Sequence, residues 1–152
     1  MITSFRDDLR ELFQTATLTL ATTGPSAEPY AAPIYFVAVL MDDPWPQIYF
    51  FSDSKSQHCQ NLALNPRAAA ACYPECSDWQ EIRGLQMRGE ARQVPRGLRW
   101  DAAWEHYQIK FPFVKTLKAV VARNSLYEFQ PTWTRLVDNR RGFGFKQEWA
   151  QT

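Results

Sequence analysis

Apolar and polar positions along the chain follow two rhythms. Phe5, Leu9, Leu12, Phe13 and Ala16 recur at helical spacing, with Ser4 ahead of them as a cap and Asp7 and Asp8 in the first turn, where they suit the helix dipole. This spacing predicts a packing helix. From Thr17 to Thr23 (TLTLATT) the rhythm shortens to the alternation of a half-buried strand. Gly24 to Pro29 is a turn, and Tyr30 to Met41 (YAAPIYFVAVLM) predicts a second strand. Pro33 inside it removes a ladder donor, so an edge, a bulge or a ligand is expected there. Asp42-Asp43-Pro44-Trp45-Pro46 turns the chain into Ile48-Tyr49-Phe50-Phe51, a β-branched and aromatic run. Three strands joined by short turns predict an antiparallel meander.

The second half continues in the same way. After Ser52-Asp53-Ser54-Lys55-Ser56-Gln57-His58, a small, polar and partly basic turn, a short helix carries Leu62 and Leu64 and closes at Asn65-Pro66. A strand begins at Ala68. Glu81 to Val94 (EIRGLQMRGEARQV) predicts another, with Ile82, Leu85, Met87, Ala91 and Val94 as apolar members and Arg83, Arg88 and Arg92 on a solvated face. Gly84 and Gly89 interrupt it and predict a bulge or a close backbone approach. Leu98 to Ile109 reads as a helix, with Leu98 and Ala102 among its apolar members and His106 as a surface or packed histidine. Phe113 to Ala122 is a short helical or irregular piece. Leu126 to Gln130 and Thr132 to Asp138 are strands around Pro131, and a turn at Asn139 to Gly142 leads to a closing segment through Trp149. The pattern predicts a single α+β domain over residues 1–152, mainly β, built on an antiparallel sheet or barrel.

Composition narrows the function classes. A net charge of +1 gives no reason to expect nucleic acid or an anionic membrane as partner. No apolar run is long enough to cross a bilayer as a helix, and MITSFRDDLRELF has no signal-like apolar core, so a cytoplasmic location is expected. Aromatics make up 14% of the chain, which fits an extensive core, a subunit interface or an aromatic ligand. Cys59, Cys72 and Cys76 have neither the spacing nor the ligand count of a metal site and read as reduced thiols; no metal is expected. The chain lacks a GxGxxG, a Walker loop, an HExxH and a GxSxG. No nucleophile–base pair stands out, so catalytic residues stay unknown, and any redox chemistry would come from a bound cofactor.

The polar turn is the one place with visible binding chemistry. Hydroxyls and a cation sit where a strand ends and a helix begins, beside unpaired backbone N–H groups and the positive end of the helix dipole. That suits a phosphate. On local chemistry alone, plain capping by Ser54 or Ser56 is the commoner use of such residues.

The order of elements then carries a resemblance. A helix, TLTLATTG, YAAPIYF, a strand ending IYFFSD, the polar turn, QNLALNPRAAAA and IRGLQMRGEA, with VDNRRGFGFKQEW at the end, together resemble the flavin-binding split-barrel family related to pyridoxamine 5′-phosphate oxidase, in a bacterial branch of uncharacterised members. The resemblance implies a six-stranded antiparallel split barrel with flanking helices. It implies a homodimer with FMN sites at the subunit interface, and an oxidoreductase acting on a small molecule. It places the FMN phosphate at Ser52, Ser56, Gln57 and His58, with Lys55 beside them. The backbone around Pro33, Ile34, Tyr35 and Phe36 would lie along the isoalloxazine, with Gln86 reaching the flavin and Trp149 against the ring. Two departures matter. Gln57-His58 stands where many members have Arg-Lys, so less positive charge meets the phosphate. The C-terminal Arg–His element of true pyridoxamine phosphate oxidases is not evident, which argues against that particular reaction. Other readings are a flavin-binding or sensing protein without turnover, a split barrel holding haem or a deazaflavin, and a dimeric scaffold without cofactor.

Overall fold

The computed structural model describes residues 4–40 and 45–151. Helix α1 (Phe5–Leu12) starts at its expected cap: Ser4 is extended, and its Oγ accepts the Asp7 N–H at 3.3 Å. Leu9, Leu12 and Phe13 are buried, whereas Ala16 lies past the helix and is exposed. Strand β1 (Thr17–Thr23) forms an antiparallel hairpin with β2 (Pro29–Tyr35).

The single strand expected over Tyr30 to Met41 is two strands. The chain breaks at Phe36, and β3 (Val37–Leu40) pairs with β4 (Pro46–Ser52) instead of following β2 along β1. Phe36 accounts for the break. Its side chain is wholly buried, edge-on to Phe13 at 6.0 Å, and anchoring it there turns the chain from one half of the barrel to the other. The expected three-strand meander is thereby divided into two hairpins. The Met41 end of that strand and the Asp42-Asp43-Pro44 turn lie outside the described residues.

Helix α2 (Gln57–Leu64) follows the polar turn and leads into β5 (Arg67–Cys72). A short 3-10 turn over Trp79–Glu81 precedes β6 (Arg83–Gln93), which is followed by α3 (Leu98–Lys110), a second 3-10 turn (Pro112–Leu117) and α4 (Lys118–Arg123). The two strands expected around Pro131 are one, β7 (Ser125–Asp138). Pro131 cannot donate to a ladder. The sheet absorbs it with a shift of register between Arg88 and Gly89 of β6, which sets Gly89 opposite Pro131. Strand β8 (Lys146–Ala150) pairs with the far end of β7.

The result is an eight-stranded antiparallel sheet in the order β2-β1-β5-β6-β7-β4-β3, with β8 added on β7. It is the mainly-β, α+β split barrel, carrying more strands than the six-stranded scheme. One apolar core fills the barrel around Leu20, Phe36, Phe50, Met87 and Phe129. A second lies between α3 and the outer side of β3, β4 and β7. There the helix turns Trp100, Ala103 and Tyr107 inward, while Leu98 and Ala102 are exposed. Aromatic area decides that orientation: Phe51 is edge-on to Trp100, Trp104 and Tyr107 at 5.7, 5.6 and 5.1 Å. The exposed face of α3 also carries His106.

Glu128 is buried where α3 meets β7 and pairs with Arg99. Burial pushes its carboxyl above the ordinary value, and the Arg99 guanidinium opposes this without cancelling it. A raised folded-state value means the fold prefers the protonated acid. That contribution is whole below the unfolded carboxylate range and is lost as pH rises through the folded value. Glu128→Gln imitates the protonated acid. It is expected to melt above the parent at pH 7 and level with it at pH 4, as read by thermal unfolding. The same difference at both pH values would contradict the assignment.

Candidate functional site

The polar turn folds as one hydrogen-bonded group. Asp53 Oδ1 accepts the Lys55 N–H at 2.9 Å, and the Ser56 N–H donates to the Asp53 carbonyl at 2.9 Å, which closes the loop tightly. Ser56 is the N-cap residue of α2, yet its hydroxyl makes no cap hydrogen bond. It turns instead to His58 Nε2, at 3.3 Å, where the Ser52 hydroxyl also lies, at 2.5 Å. Two hydroxyls and an imidazole therefore gather in front of a helix N-terminus that has no side-chain cap. Its first N–H groups and dipole remain available to an anion. Lys55 is exposed at the rim. Gln57 points along the helix and donates to Asn61 Oδ1 at 2.8 Å, and buried Asn61 donates to Thr22 Oγ1 at 3.0 Å. Asn61 thus pins α2 to β1, and Gln57 holds the Asn61 amide in place.

Behind this group is Cys59, the residue after His58, buried in the first turn of α2. Burial pushes its thiol up, but hydrogen bonding with His58, Ser56, Tyr127 and Ser52 outweighs burial, and the net shift is downward.

A second group lies on the outer face of the sheet. Register runs one row through Pro33, Thr19, Ala71, Gln86, Arg135 and Glu148, each residue paired with the next across neighbouring strands. Small side chains form the middle of this row. At one end are Gln86 and Arg135, whose Nη1 approaches Gln86 Oε1 at 3.5 Å while Nε donates to Glu148 Oε1 at 2.8 Å. Arg88 lies over the half-buried Trp133 ring at 4.2 Å. A shallow, largely apolar hollow of about 260 Å³ runs over Thr19, Ala21, Ala69, Ala71 and Gln86 to Trp133.

The residues named from the sequence divide between these groups. Ser52, Ser56 and His58 come together; Lys55 and Gln57 flank them. Pro33 and Tyr35 face outward on β2, which ends the strand order, so the expectation of an edge at Pro33 holds. Ile34 and Phe36 are buried in the core, leaving only their backbone for a ligand. Gln86 is three strands from Pro33, about 14 Å at ordinary strand spacing. Trp149 is turned to the opposite face, stacked on Phe5 at 3.3 Å between ring centroids and packed against the barrel core. Arg135, Trp133, Asn61 and Cys59 were not singled out for the site. The roles of Arg135 and Trp133 depend on cross-strand register and that of Asn61 on a contact 39 residues apart in sequence, neither of which a local pattern contains.

A family model described as pyridoxamine 5′-phosphate oxidase matches residues 5–138. The chain belongs to that family. Within the pyridoxamine 5′-phosphate oxidase family, UPF0306 protein YhbP of Salmonella paratyphi B is 30% identical over 104 residues, covering 68% of this chain and 67% of that protein. The fold resembles a haem binding protein from Mycobacterium smegmatis, with TM-score 0.77 and 20% identity, over 99% of this chain and 60% of that one. It also resembles an FAD-binding protein from Mesorhizobium loti, with TM-score 0.64 and 15% identity, over 87% of this chain and 90% of that one. At these identities the structural likenesses concern the fold. One fold is thus shared by proteins described as binding haem and as binding FAD.

Proposed function

We propose that this protein binds FMN, with the phosphate at the turn from Ser52 to His58, and acts as an oxidoreductase on a small molecule. The observation that carries this reading is the uncapped N-terminus of α2, with the Ser52 and Ser56 hydroxyls gathered on His58. When Nε2–H donates to a serine oxygen, that hydroxyl's own hydrogen is free to donate outward to an anion. Lys55 and the helix dipole supply the charge that Gln57 does not. These groups suit a phosphate ester better than a bare aromatic ring. Bound flavin supplies hydride or electron transfer. The exposed edge of β2 at Pro33 and Tyr35 offers backbone and aromatic surface along a ring system.

A homodimer follows from the same reading. Gln86 and Arg135 lie about 14 Å and about 19 Å from β2 across the sheet, at strand spacing, and serve a ring held by a second copy better than one held by their own β2. The small side chains at Thr19, Ala21, Ala69 and Ala71 let two such faces approach closely.

Calorimetric titration with FMN and with riboflavin, which lacks the phosphate, tests the turn. FMN is expected to bind at least about tenfold more tightly, the scale of one charge-assisted hydrogen bond. Equal affinities would remove Ser52 to His58 from the site. Haem is the second reading, carried by the Mycobacterium smegmatis neighbour; haem uptake with a Soret band and no FMN binding would establish it in place of the first.

A further inference from the structure

A cleft of about 650 Å³ opens on the outer face of the sheet, over the last residues of β1, the first of β5 and the middle of β6. Its size falls within the range of small-molecule sites. None of Ser52 to His58 lines it. Strand alternation brings Arg67 and Arg88 to it together. Arg67 pairs with Glu90, so it lies diagonal to Arg88, roughly 7–8 Å away across the ladder. Both side chains are exposed, and neither makes an ion pair among the described residues. Two carboxylates on this face are already taken: Glu90 by Arg92 and Glu148 by Arg135, each at 2.6 Å. Around the cleft, three guanidinium groups (Arg67, Arg88 and Arg92) thus meet the single carboxylate of Glu90. Like charges left together across a ladder repel, and a bound dianion turns that repulsion into attraction. Asn65 Oδ1 accepts the Arg67 N–H at 3.1 Å, which fixes the amide in the cleft wall with its Nδ2 donors unused among the described residues.

The cleft continues into the shallow apolar hollow beside it, since Ala21, Ala69 and Arg88 line both. Gln86 and Arg88 are two residues apart on β6, about 7 Å at the rise of a strand, and face the same way. A ligand that fills both spaces has a flat apolar part over the alanines and Trp133, and a doubly charged part at the arginines. A nucleotide joined through a diphosphate has that form. The close approach of two copies over Thr19, Ala21, Ala69 and Ala71 ends one row short of Arg67 and Glu90, so the charged part lies at its margin.

We propose that Arg67 and Arg88 bind the diphosphate of a nicotinamide dinucleotide, the electron donor of this oxidoreductase, with its nicotinamide end directed along β6 toward Gln86. The nicotinamide end rests on the flavin reading, because Gln86 is where a second copy would present its ring. The diphosphate subsite does not depend on that reading. The donor gives up one hydride and leaves as the pyridinium, and the proposed flavin is the acceptor.

Calorimetric titration of the protein with ADP-ribose, in buffer free of phosphate, tests the subsite. ADP-ribose carries the diphosphate and no nicotinamide. It is expected to bind at least about tenfold more tightly than adenosine, the scale of one charge-assisted hydrogen bond. Arg67→Gln and Arg88→Gln are each expected to weaken it about tenfold, and Glu90→Gln, which removes the negative charge from the cleft, to tighten it. All three are expected to leave FMN affinity and the melting temperature in place. Purely structural arginines would not produce changes of opposite sign. In the FMN-loaded protein the two arginine variants are expected to raise KM for NADH with little change in kcat. Equal binding of ADP-ribose and adenosine, or binding of ADP-ribose that ignores both arginine variants, would overturn the proposal. A parallel loss of FMN affinity would overturn it too, by making the cleft part of the flavin site. Failure of the FMN-loaded protein to oxidise NADH would overturn the assignment of the donor. ADP-ribose bound through the arginines by a protein that takes up no FMN would support the diphosphate subsite and remove the flavin reading. FMN binding without ADP-ribose binding would do the reverse.

Discussion

Gly89→Ala is expected to destabilise the barrel by about 3 kcal/mol or more, at the upper end of what overpacking costs. A Cβ at this position would lie 2.0 Å from the Gln130 carbonyl oxygen and 2.9 Å from Pro131 Cα. Both are backbone atoms of the partner strand, so no side-chain rotamer can relieve the contact. Pro131 donates no hydrogen bond, and the sheet accommodates it by the register shift that brings Gly89 against it. Beyond the shift, β6 and β7 stay paired from Gly89 through Gln93, next to the buried Phe129. Loss of the close approach would therefore loosen the strand that carries both Phe129 and Tyr127. For a domain of this size the expected fall in melting temperature is about 10 °C. Melting within a degree or two of the parent would show that the bulge is soft and that Pro131, rather than Gly89, sets it.

Lys55→Ala and Ser56→Ala are each expected to weaken FMN binding by roughly 1–3 kcal/mol without lowering the melting temperature of the free protein. The two act differently. Lys55 is exposed and supplies charge, so its contribution falls as salt rises. Ser56 supplies a directed hydroxyl already aligned on His58, so its contribution changes little with salt. The pair are neighbours and touch the same anion, and their effects should not add. Titrations at low and high salt separate them. Unchanged affinity in both variants would remove the turn from the site. An equal loss that ignores salt in both would point to collapse of the loop, which also rests on the Asp53 hydrogen bonds to Lys55 and Ser56.

What the sequence disclosed follows from how local each signal is. The Ser4 cap, the α1 stripe and the alternation in β1 depend on neighbours a few residues away, and the structure agrees with each except at Ala16, which lies past the helix. Gly89 was legible as a bulge or close approach because a glycine inside a strand pattern has few other uses. The break at Phe36 was not legible. YAAPIYFVAVLM is uniformly β-forming, and only the three-dimensional pull of Phe13 and the barrel core divides it. The two strands expected around Pro131 had the opposite fault: a local breaker was overruled by a bulge beside it in the same strand, at Thr132, where the register against β6 shifts. In the site, the turn at Ser52 to His58 was visible as a cluster of polar residues between apolar runs. Trp149 was assigned by position in the order of motifs, and its side of β8 was fixed by pairing with the inward-facing Thr134, which the order could not reveal.

The most direct measurement is the absorbance spectrum of the freshly purified protein, followed by titration with FMN. Oxidised-flavin bands, or saturable uptake of FMN by a colourless sample, are the predicted result and would lead to a search for an electron donor and substrate. A protein that shows no flavin bands and does not take up FMN would contradict the account, leaving the split barrel intact and its ligand elsewhere among haem, a deazaflavin or none.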